Sequence, residues 1–174
     1  MTSIQGAKQL LLRSGEELRL ISRRSRLRCV GGKGGVLVLI ERKTRRYIVR
    51  KLSELSSRAV CQVLRKLLRV GVMGHVLSIT TDNGREFLPA GGIEELFREA
   101  YAPFRLFYTH AYAAWEKGSV ENCNRIVRRW YPKGTDFSRV SAQALASLEA
   151  AINGIHRRSL GGLTAAQSYA RETA

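Results

Sequence analysis

The chain has 174 residues and a mass of 19.5 kDa, which suits one domain with a hydrophobic core and is too short for two ordinary domains. Lysine and arginine total 30 against 14 aspartate and glutamate residues, so the net charge is +16, which is atypical of a neutral metabolic enzyme and favours a polyanionic partner. Hydrophobic residues make up 44% of the chain, and no apolar run approaches the roughly 20 residues that cross a bilayer, so a disordered basic tail and a membrane span are excluded.

Cysteine usage and the N-terminal sequence indicate a compartment. Cys29, Cys61 and Cys123 are odd in number and widely spaced, and residues 1–20 lack the uninterrupted apolar stretch and cleavage site of a secretory signal. We therefore expect reduced thiols in a cytoplasmic protein.

Residues 1–30 differ in kind from the rest of the chain. They carry seven basic residues against two acidic ones, Glu16 and Glu17, and their leucines follow no sustained period. No firm secondary structure is predicted for this segment.

Four later segments have the apolar patterns of strands. Residues 36–40 form a continuous apolar run after a glycine-rich turn, and residues 46–50 are predicted to pair with it as a hairpin. Residues 75–81 and 105–109 predict two further strands, the first of which ends at the tight-turn sequence Asp82-Asn83-Gly84. Asp82 is therefore expected at the carboxyl end of a strand.

Helices are predicted between and after these strands. Ser56 or Ser57 can cap the first, and residues 93–100 have the apolar spacing of a short second helix. Ser141 and the capping-box spacing from Thr164 to Gln167 predict two helices near the C-terminus.

Another predicted helix carries the residues of most chemical interest. Its apolar residues recur at three- and four-residue steps from Val120 to Trp130, so Trp130 is expected to pack the helix on the sheet. Glu121 borders this apolar stripe, and Arg125 and Arg128 follow on its side one and two turns later. A carboxylate accompanied by arginines in this way can face a phosphate backbone.

The carboxylates of Asp82 and Glu121 are the candidates for metal-assisted chemistry. Hard divalent cations such as Mg²⁺ or Mn²⁺ prefer carboxylate oxygens, and they can stabilise the attacking and leaving oxygens in phosphodiester cleavage. Spacing alone does not distinguish this from a turn residue before Asn83-Gly84 and a solvated helix residue, and by itself it favours the latter pair of interpretations.

Three motifs then resemble one family closely. They are Thr80-Thr81-Asp82-Asn83-Gly84-Arg85-Glu86-Phe87, the run from His110 to Asn124 that contains Ala113-Ala114-Trp115-Glu116-Lys117-Gly118, and Pro132-Lys133-Gly134-Thr135-Asp136-Phe137. In this order they resemble the catalytic domain of bacterial DDE transposases of the insertion sequence thirty family, which share the retroviral-integrase core. The likeness extends from about Val30 to the C-terminus.

The resemblance implies a fold and a function. It implies an α/β domain with a ribonuclease-H-like mixed sheet and flanking helices, cleavage of DNA at transposon ends, and joining of the freed 3′-hydroxyl to target DNA. Asp82 and Glu121 would be the second and third ligands of Mg²⁺ or Mn²⁺. The protein would be bacterial, cytoplasmic and nucleoid-associated, with self-assembly left open.

The resemblance and the charge pattern together give a set of candidate DNA contacts. Residues 42–46 also match a solvated hairpin turn, and in a chain of charge +16 DNA contact is an equal alternative there. The candidate DNA-contacting residues are Arg42, Lys43, Arg45, Lys117, Asn122, Asn124, Arg125, Arg128, Arg129 and Lys133.

The chain departs from the family at its first catalytic aspartate. The family carries this residue on the central first strand, and here the position falls near Arg28, with no aspartate anywhere before Asp82. Glu41 is an unsuitable substitute because it matches an ordinary residue of the second strand. We therefore expect a defective first strand and severely impaired metal-dependent turnover.

This departure leads to a domain division and to an alternative function. Residues 1–29 are interpreted as an atypical basic segment and residues 30–174 as an integrase-like core with C-terminal helices, in an N-terminally truncated copy of a transposase. The alternative is a catalytically inactive module that binds DNA or takes part in a transposase oligomer.

Overall fold

A computed structural model describes residues 16–22, 35–73, 76–81, 84–87, 91–100, 104–108, 125–132 and 134–173. The described residues form a five-stranded mixed sheet with the strand order β3-β2-β1-β4-β5. β2 is antiparallel to both of its neighbours, whereas β1, β4 and β5 run parallel to one another. The strands are β1 (Glu16–Ser22), β2 (Gly35–Glu41), β3 (Tyr47–Leu52), β4 (Val76–Thr81) and β5 (Arg105–Tyr108).

Helices cover both faces of this sheet. They are α1 (Ser57–Arg69), α2 (Gly91–Ala100), α3 (residues 125–130), α4 (Ala142–Asn153) and α5 (Ala165–Thr173), with single 3₁₀ turns at Arg85–Phe87 and Arg158–Leu160. Within the described part of the chain, no helix is both long and apolar enough to traverse a bilayer.

The alternating side chains of β2 divide the hydrophobic core into two clusters. Leu37 and Leu39 belong to the first cluster, which α1 and α2 complete with residues such as Leu64 and Phe97. Val36, Val38 and Ile40 belong to the second. Because successive strand residues point to opposite faces, the two clusters lie on opposite sides of the sheet. The members of the second cluster outside the sheet are Val127, Phe137, Leu145, Leu148 and Ile152.

Side chains of α4 satisfy the outer backbone groups of strand β3. The side-chain amide of the buried Asn153 accepts a hydrogen bond from the Tyr47 N–H at 2.8 Å and donates one to the Tyr47 carbonyl at 2.8 Å. Glu149 accepts a hydrogen bond from the Val49 N–H at 2.7 Å and pairs with Arg50. These contacts attach α4 to an edge strand and occupy groups that could otherwise pair with another strand.

The helix caps agree with the sequence. The hydroxyls of Ser56 and Ser141 accept hydrogen bonds from the N–H groups of Ala59 and Ala144 at 3.2 and 3.1 Å. Thr164 and Gln167 bond reciprocally, with N–H to side-chain oxygen distances of 2.9 and 3.1 Å. The prediction of an α/β fold is therefore confirmed, and β2 to β5, α1, α2, α4 and α5 lie where the sequence patterns place them.

The position of one strand and the packing of one tryptophan differ from the sequence analysis. Residues 16–22, for which no structure was predicted, form the central strand β1. Residues 26–30, where a defective strand was expected, lie outside the described part of the chain. The prediction that Trp130 packs α3 on the sheet is wrong, because its residue is 57% exposed while Val127 is fully buried. Tyr131, one position later, packs against Phe137 at a ring distance of 5.5 Å instead.

We predict that Asn153→Ala destabilises the protein by about 2–3 kcal/mol, because it removes both hydrogen bonds between the side-chain amide and the Tyr47 backbone at a buried site. Gln143→Ala, at an exposed position of the same helix, is the control and should change stability by less than about 0.5 kcal/mol. Urea unfolding curves with a constant m-value measure both changes. Equal losses for the two variants would contradict a stabilising role of Asn153.

Candidate active site and basic surfaces

The carboxyl ends of β1, β4 and β5 share one edge of the sheet. β4 ends at the buried Thr81, which is level with Tyr108 at the end of β5. In open α/β sheets, ligands bind in the crevice outside such strand ends. Asp82 follows Thr81 directly in the sequence, although Asp82 and Asn83 lie outside the described residues. The candidate site therefore belongs to this edge.

The chain just after Asp82 is held by the core. The ring of Phe87 is fully buried in the first cluster, and its N–H donates to the Gly84 carbonyl at 2.9 Å. A Cβ atom on Gly84 would lie 2.8 Å from the carboxylate of Glu86, which is itself buried. Any larger residue at position 84 would displace this carboxylate. Glu86 is thus a buried acidic group next to the candidate site that the sequence analysis did not single out.

Strand β1 brings no carboxylate to the same edge. Its last position paired with β4 is Arg19, opposite Thr80, and Leu20, Ile21 and Ser22 continue the strand toward the edge. Both acidic residues of β1 lie at its other end, where Glu16 pairs with Val76 and Glu17 with Ser78. The register therefore separates them from the residues that follow Thr81 by several positions.

Glu41 is also absent from this edge. It is the partner of Leu18 in the register of β1 and β2, toward the amino end of β1. Its buried carboxylate accepts hydrogen bonds from the N–H groups of Lys43 and Thr44, both at 2.5 Å, and from the Thr44 hydroxyl. Glu41 thus fixes the turn between β2 and β3, and its oxygens are occupied there.

Of the residues near the predicted third carboxylate, only those of α3 are described. Glu121, Lys117, Asn122, Asn124 and Lys133 lie outside the described residues, so their predicted roles stay predictions. Val127 anchors α3 on the second cluster, while Arg125, Arg128 and Arg129 are exposed to solvent. The described part of the predicted arginine surface is therefore accessible to a polyanion.

The turn between β2 and β3, residues 42–46, is held by the C-terminal helix. Lys43 forms an ion pair with Glu172 of α5, and the hydrogen bond to this carboxylate raises the pKa of the Lys43 ammonium. The guanidinium of Arg46 lies 3.9 Å from the ring centroid of Tyr169 and donates to the Val72 carbonyl at 3.0 Å. These contacts position the turn against α5.

Arg45 has a different role from Lys43 in this turn. Its φ angle is +58°, in the left-handed region that β-carbon-bearing residues seldom adopt, and it has no side-chain partner within the described residues. Arg42 is exposed and has a contact of its own. Of the three cations that the sequence predicted here, Lys43 is paired inside the protein and Arg45 is available to a ligand.

Asp136 holds the loop before α4. Its carboxylate accepts hydrogen bonds from the Ser138 hydroxyl at 2.6 Å and the Ser138 N–H at 2.9 Å, and these bonds lower the pKa of Asp136. It lies 3.6 Å from the guanidinium of Arg139. The second aspartate of the chain is therefore a loop residue. Across the described ranges, no three His, Cys, Asp or Glu residues are grouped so that they could hold a metal ion.

The outward face of α1 carries a basic group that the sequence analysis missed. Arg58, Arg65, Lys66 and Arg69 are all exposed, and α1 contains no acidic residue. The signal was present as cations at steps of seven and four residues, outside the resembling motifs.

Comparison with known proteins identifies the relatives of this chain. No protein-family model matches it. It is 34% identical over 137 residues to the transposase for insertion sequence element IS4351 of Bacteroides fragilis, covering 79% of this chain and 40% of that protein. It is 32% identical over 127 residues to a probable transposase for insertion-like sequence element IS1161 of Streptococcus salivarius, covering 73% and 34%.

A putative integrase of Spiroplasma virus SpV1-R8A2 B is 26% identical over 138 residues, or 79% of this chain and 41% of that protein. The chain thus spans between about a third and two fifths of the length of these relatives. Two of the three are at least 32% identical and are named as transposases or probable transposases of insertion sequences. On this evidence, the chain is a homologue of insertion-sequence transposases.

Proposed function

We propose that this chain is a DNA-binding transposase core with a ribonuclease-H-like fold, in which metal-dependent strand cleavage is impaired. The observation that carries the proposal is the composition of the shared carboxyl edge, where β4 leads into Asp82 and β1 supplies Leu20, Ile21 and Ser22. Assignment to the insertion sequence thirty family stays a prediction from the motifs.

The architecture supports the ribonuclease-H-like assignment. The resemblance implies a mixed sheet with a central first strand and flanking helices. β1 is the middle strand of five, and helices pack on both faces of the sheet. The names of the relatives support a role in DNA transposition.

The charge distribution supports binding to DNA. The net charge is +16, and Arg128 and Arg129 are exposed on α3. Cations that neutralise phosphates release condensed counterions, so affinity should fall steeply with salt concentration. We therefore expect a salt-sensitive complex with duplex DNA whether or not the strand is cleaved.

The donor set does not fit a complete magnesium site of the kind that the resemblance implies. That site needs a carboxylate from the first strand beside Asp82 and Glu121. The sequence of β1 has no acidic residue after Glu17 and ends with Leu20, Ile21 and Ser22, and Glu41 is occupied in its turn. Losing one of three shared ligands removes several kcal/mol of charge stabilisation, so cleavage should be slower by orders of magnitude.

We predict that the chain binds supercoiled plasmid DNA but does not nick it measurably in about 5 mM Mn²⁺ or Mg²⁺, because the metal site lacks its first carboxylate. Electrophoretic mobility shifts measure binding, and conversion to open circles measures nicking. Nicking that is abolished by Asp82→Ala or Glu121→Ala would contradict the impairment and would support a competent enzyme. Failure to bind DNA in low salt would contradict the proposed function as a whole.

We predict that Ile21→Asp makes metal-dependent nicking measurable, because a gain of roughly 100-fold, equivalent to about 3 kcal/mol of barrier, raises the rate above the background of the unchanged chain. Arg19 is the partner of Thr80, and Ile21 and Asp82 each follow two positions later in the sequence. The gain should disappear when Asp82→Ala is added, because the new carboxylate would act only together with Asp82.

Leu20→Asp is the matched control for Ile21→Asp. It adds the same charge to the same strand one residue earlier, on the other face of the pleat. Circular dichroism and thermal melts establish that both variants fold. Equal nicking by the two variants, or none by a folded Ile21→Asp variant, would contradict the placement of the site at position 21.

We predict that Arg45→Asn lowers the slope of log affinity against log salt by about 0.9, the value for one phosphate contact on duplex DNA. Asparagine tolerates the left-handed backbone of this position, so the turn should persist. Lys43→Gln, at a residue already paired with Glu172, is the control and should leave the slope nearly unchanged. The reverse ranking of the two variants would contradict the assignment of Arg45 as the exposed contact.

A further inference from the structure

The outward face of α1 is a continuous basic ridge, defined by Arg58, Gln62, Arg65 and Arg69 and flanked by Lys66. At 100° per residue the first four positions lie within an arc of about 60°. All five side chains are exposed, whereas Val60, Leu64 and Leu67 of the same helix are buried in the first cluster. The sequence thus places its cations on the side of α1 that faces away from the sheet.

Lys66 and Arg69 lie in the last turn of α1, where the helix dipole favours cations, but other features of the ridge are unfavourable for the isolated helix. Arg65 and Arg69 are like charges four residues apart, and Arg58 lies in the first turn, where the helix dipole disfavours a cation. In the described part of the chain, none of Arg58, Arg65, Lys66 and Arg69 has an ion pair or hydrogen-bond partner. Arg58 and Arg65 are therefore not explained by the stability of the helix.

We propose that the α1 ridge is a second DNA-binding surface, which contacts the phosphate backbone of a duplex separate from the one bound beside α3. This inference rests on the proposed function, because it assumes that the chain acts on DNA. Arg58 and Arg69 are eleven residues apart, or about 16 Å along the axis of α1. A duplex carries about ten phosphate charges over that length, one for each 1.7 Å or so of its axis.

The ridge and α3 lie on opposite sides of the sheet. α1 packs on the first cluster and Val127 of α3 on the second, and these clusters are separated by strand β2. A helix is about 10 Å in diameter and each helical layer packs about 10 Å from the sheet, so the two outward surfaces are roughly 30 Å apart. One straight duplex cannot reach both surfaces, which is why two duplex segments are required.

A second copy of the chain is a less suitable occupant. Among the described helices, α2 carries the most acidic residues, and of these Glu95 and Glu99 are exposed while Glu94 pairs with Arg98 at 3.5 Å. Two available carboxylates do not neutralise four cations. Two copies, each with a net charge of +16, would also repel one another. Charge complementarity therefore favours DNA.

The test replaces three arginines of the ridge with glutamine, a good helix former, in the variant R58Q/R65Q/R69Q. The charge-matched control is R98Q/R158Q/R171Q, at exposed positions outside α1, α3 and the β2–β3 turn. Fluorescence anisotropy is measured with a duplex of about 30 base pairs over a range of salt concentrations, and it gives the slope of log affinity against log salt concentration. The ridge variant should lower the total slope by about 2 to 3, at about 0.9 for each contact, and the control by less than about 1.

Stoichiometry provides the second measurement. With short duplexes, calorimetric titration should give two binding events per wild-type chain and one for the ridge variant, while R128Q/R129Q should weaken the other event. Unchanged slope and stoichiometry in a folded ridge variant, with wild-type DNA binding intact, would overturn the second surface and leave the proposed function standing. Absence of salt-sensitive binding by the wild-type chain would overturn the proposed function itself.

Two further readouts separate the ridge from a purely structural or self-association role. Arg58→Glu should raise the unfolding temperature, because it removes an unfavourable helix-dipole contact, and should weaken DNA binding at the same time. Opposite changes in stability and binding would support the proposal. Loss of self-association in sedimentation, with unchanged DNA binding, would overturn it and assign the ridge to contact between copies.

Discussion

The position of β1 between β2 and β4 is the constraint on which the rest of the structure depends. β1 pairs in antiparallel register with β2 from Leu18 to Ser22 and in parallel register with β4 from Glu16 to Arg19. One short strand therefore joins the β2–β3 hairpin, with its C-terminal helices, to the parallel half formed by β4 and β5. The same pairing decides which residues of β1 stand at the carboxyl edge, because a shift of one residue would exchange the two faces of the strand.

The C-terminal helices stabilise the hairpin half of the sheet through side chains that replace backbone partners. Asn153 bonds to both backbone groups of Tyr47, and Glu149 accepts from the Val49 N–H. Farther along the chain, Tyr169 and Glu172 of α5 hold Arg46 and Lys43 of the turn. These contacts join residues at least 100 positions apart. The capping of the edge strand β3 and the conformation of the turn that carries Arg45 therefore both depend on the C-terminal helices.

The sequence predicts the elements with strong local patterns and misses those set by distant partners. The continuous apolar run of β2 and the helical spacing of α1 arise from burial, and both are visible within one window of residues. β1 has only Leu18, Leu20 and Ile21 as apolar residues, and it is recognisable as a strand through its pairing with two other strands. Trp130 keeps the spacing of a packed residue but lies beside the buried stripe, where its ring remains largely in solvent.

Some features of the candidate site could be predicted from the sequence, and others depend on contacts between distant residues. The motif around Asp82 places that residue after a strand, and β4 does end at Thr81. The ion pair between Lys43 and Glu172 was not predictable, because these residues are 129 positions apart and neither belongs to a local pattern. The basic ridge of α1 was readable as a spacing, but it lay outside the motifs that carry the resemblance and so received no role.

Binding and cleavage respond differently to the loss of a single residue. Phosphate contacts are spread over many cations, each contributing a similar increment, so one substitution removes only a fraction of the affinity. A metal site depends on a few ligands at fixed positions, and a missing carboxylate cannot be compensated by charge elsewhere because the interaction acts over a few ångströms. Under the proposed function, a chain that has exposed arginines on α1 and α3 but Leu20, Ile21 and Ser22 at the end of β1 is therefore expected to bind DNA even though strand cleavage is impaired.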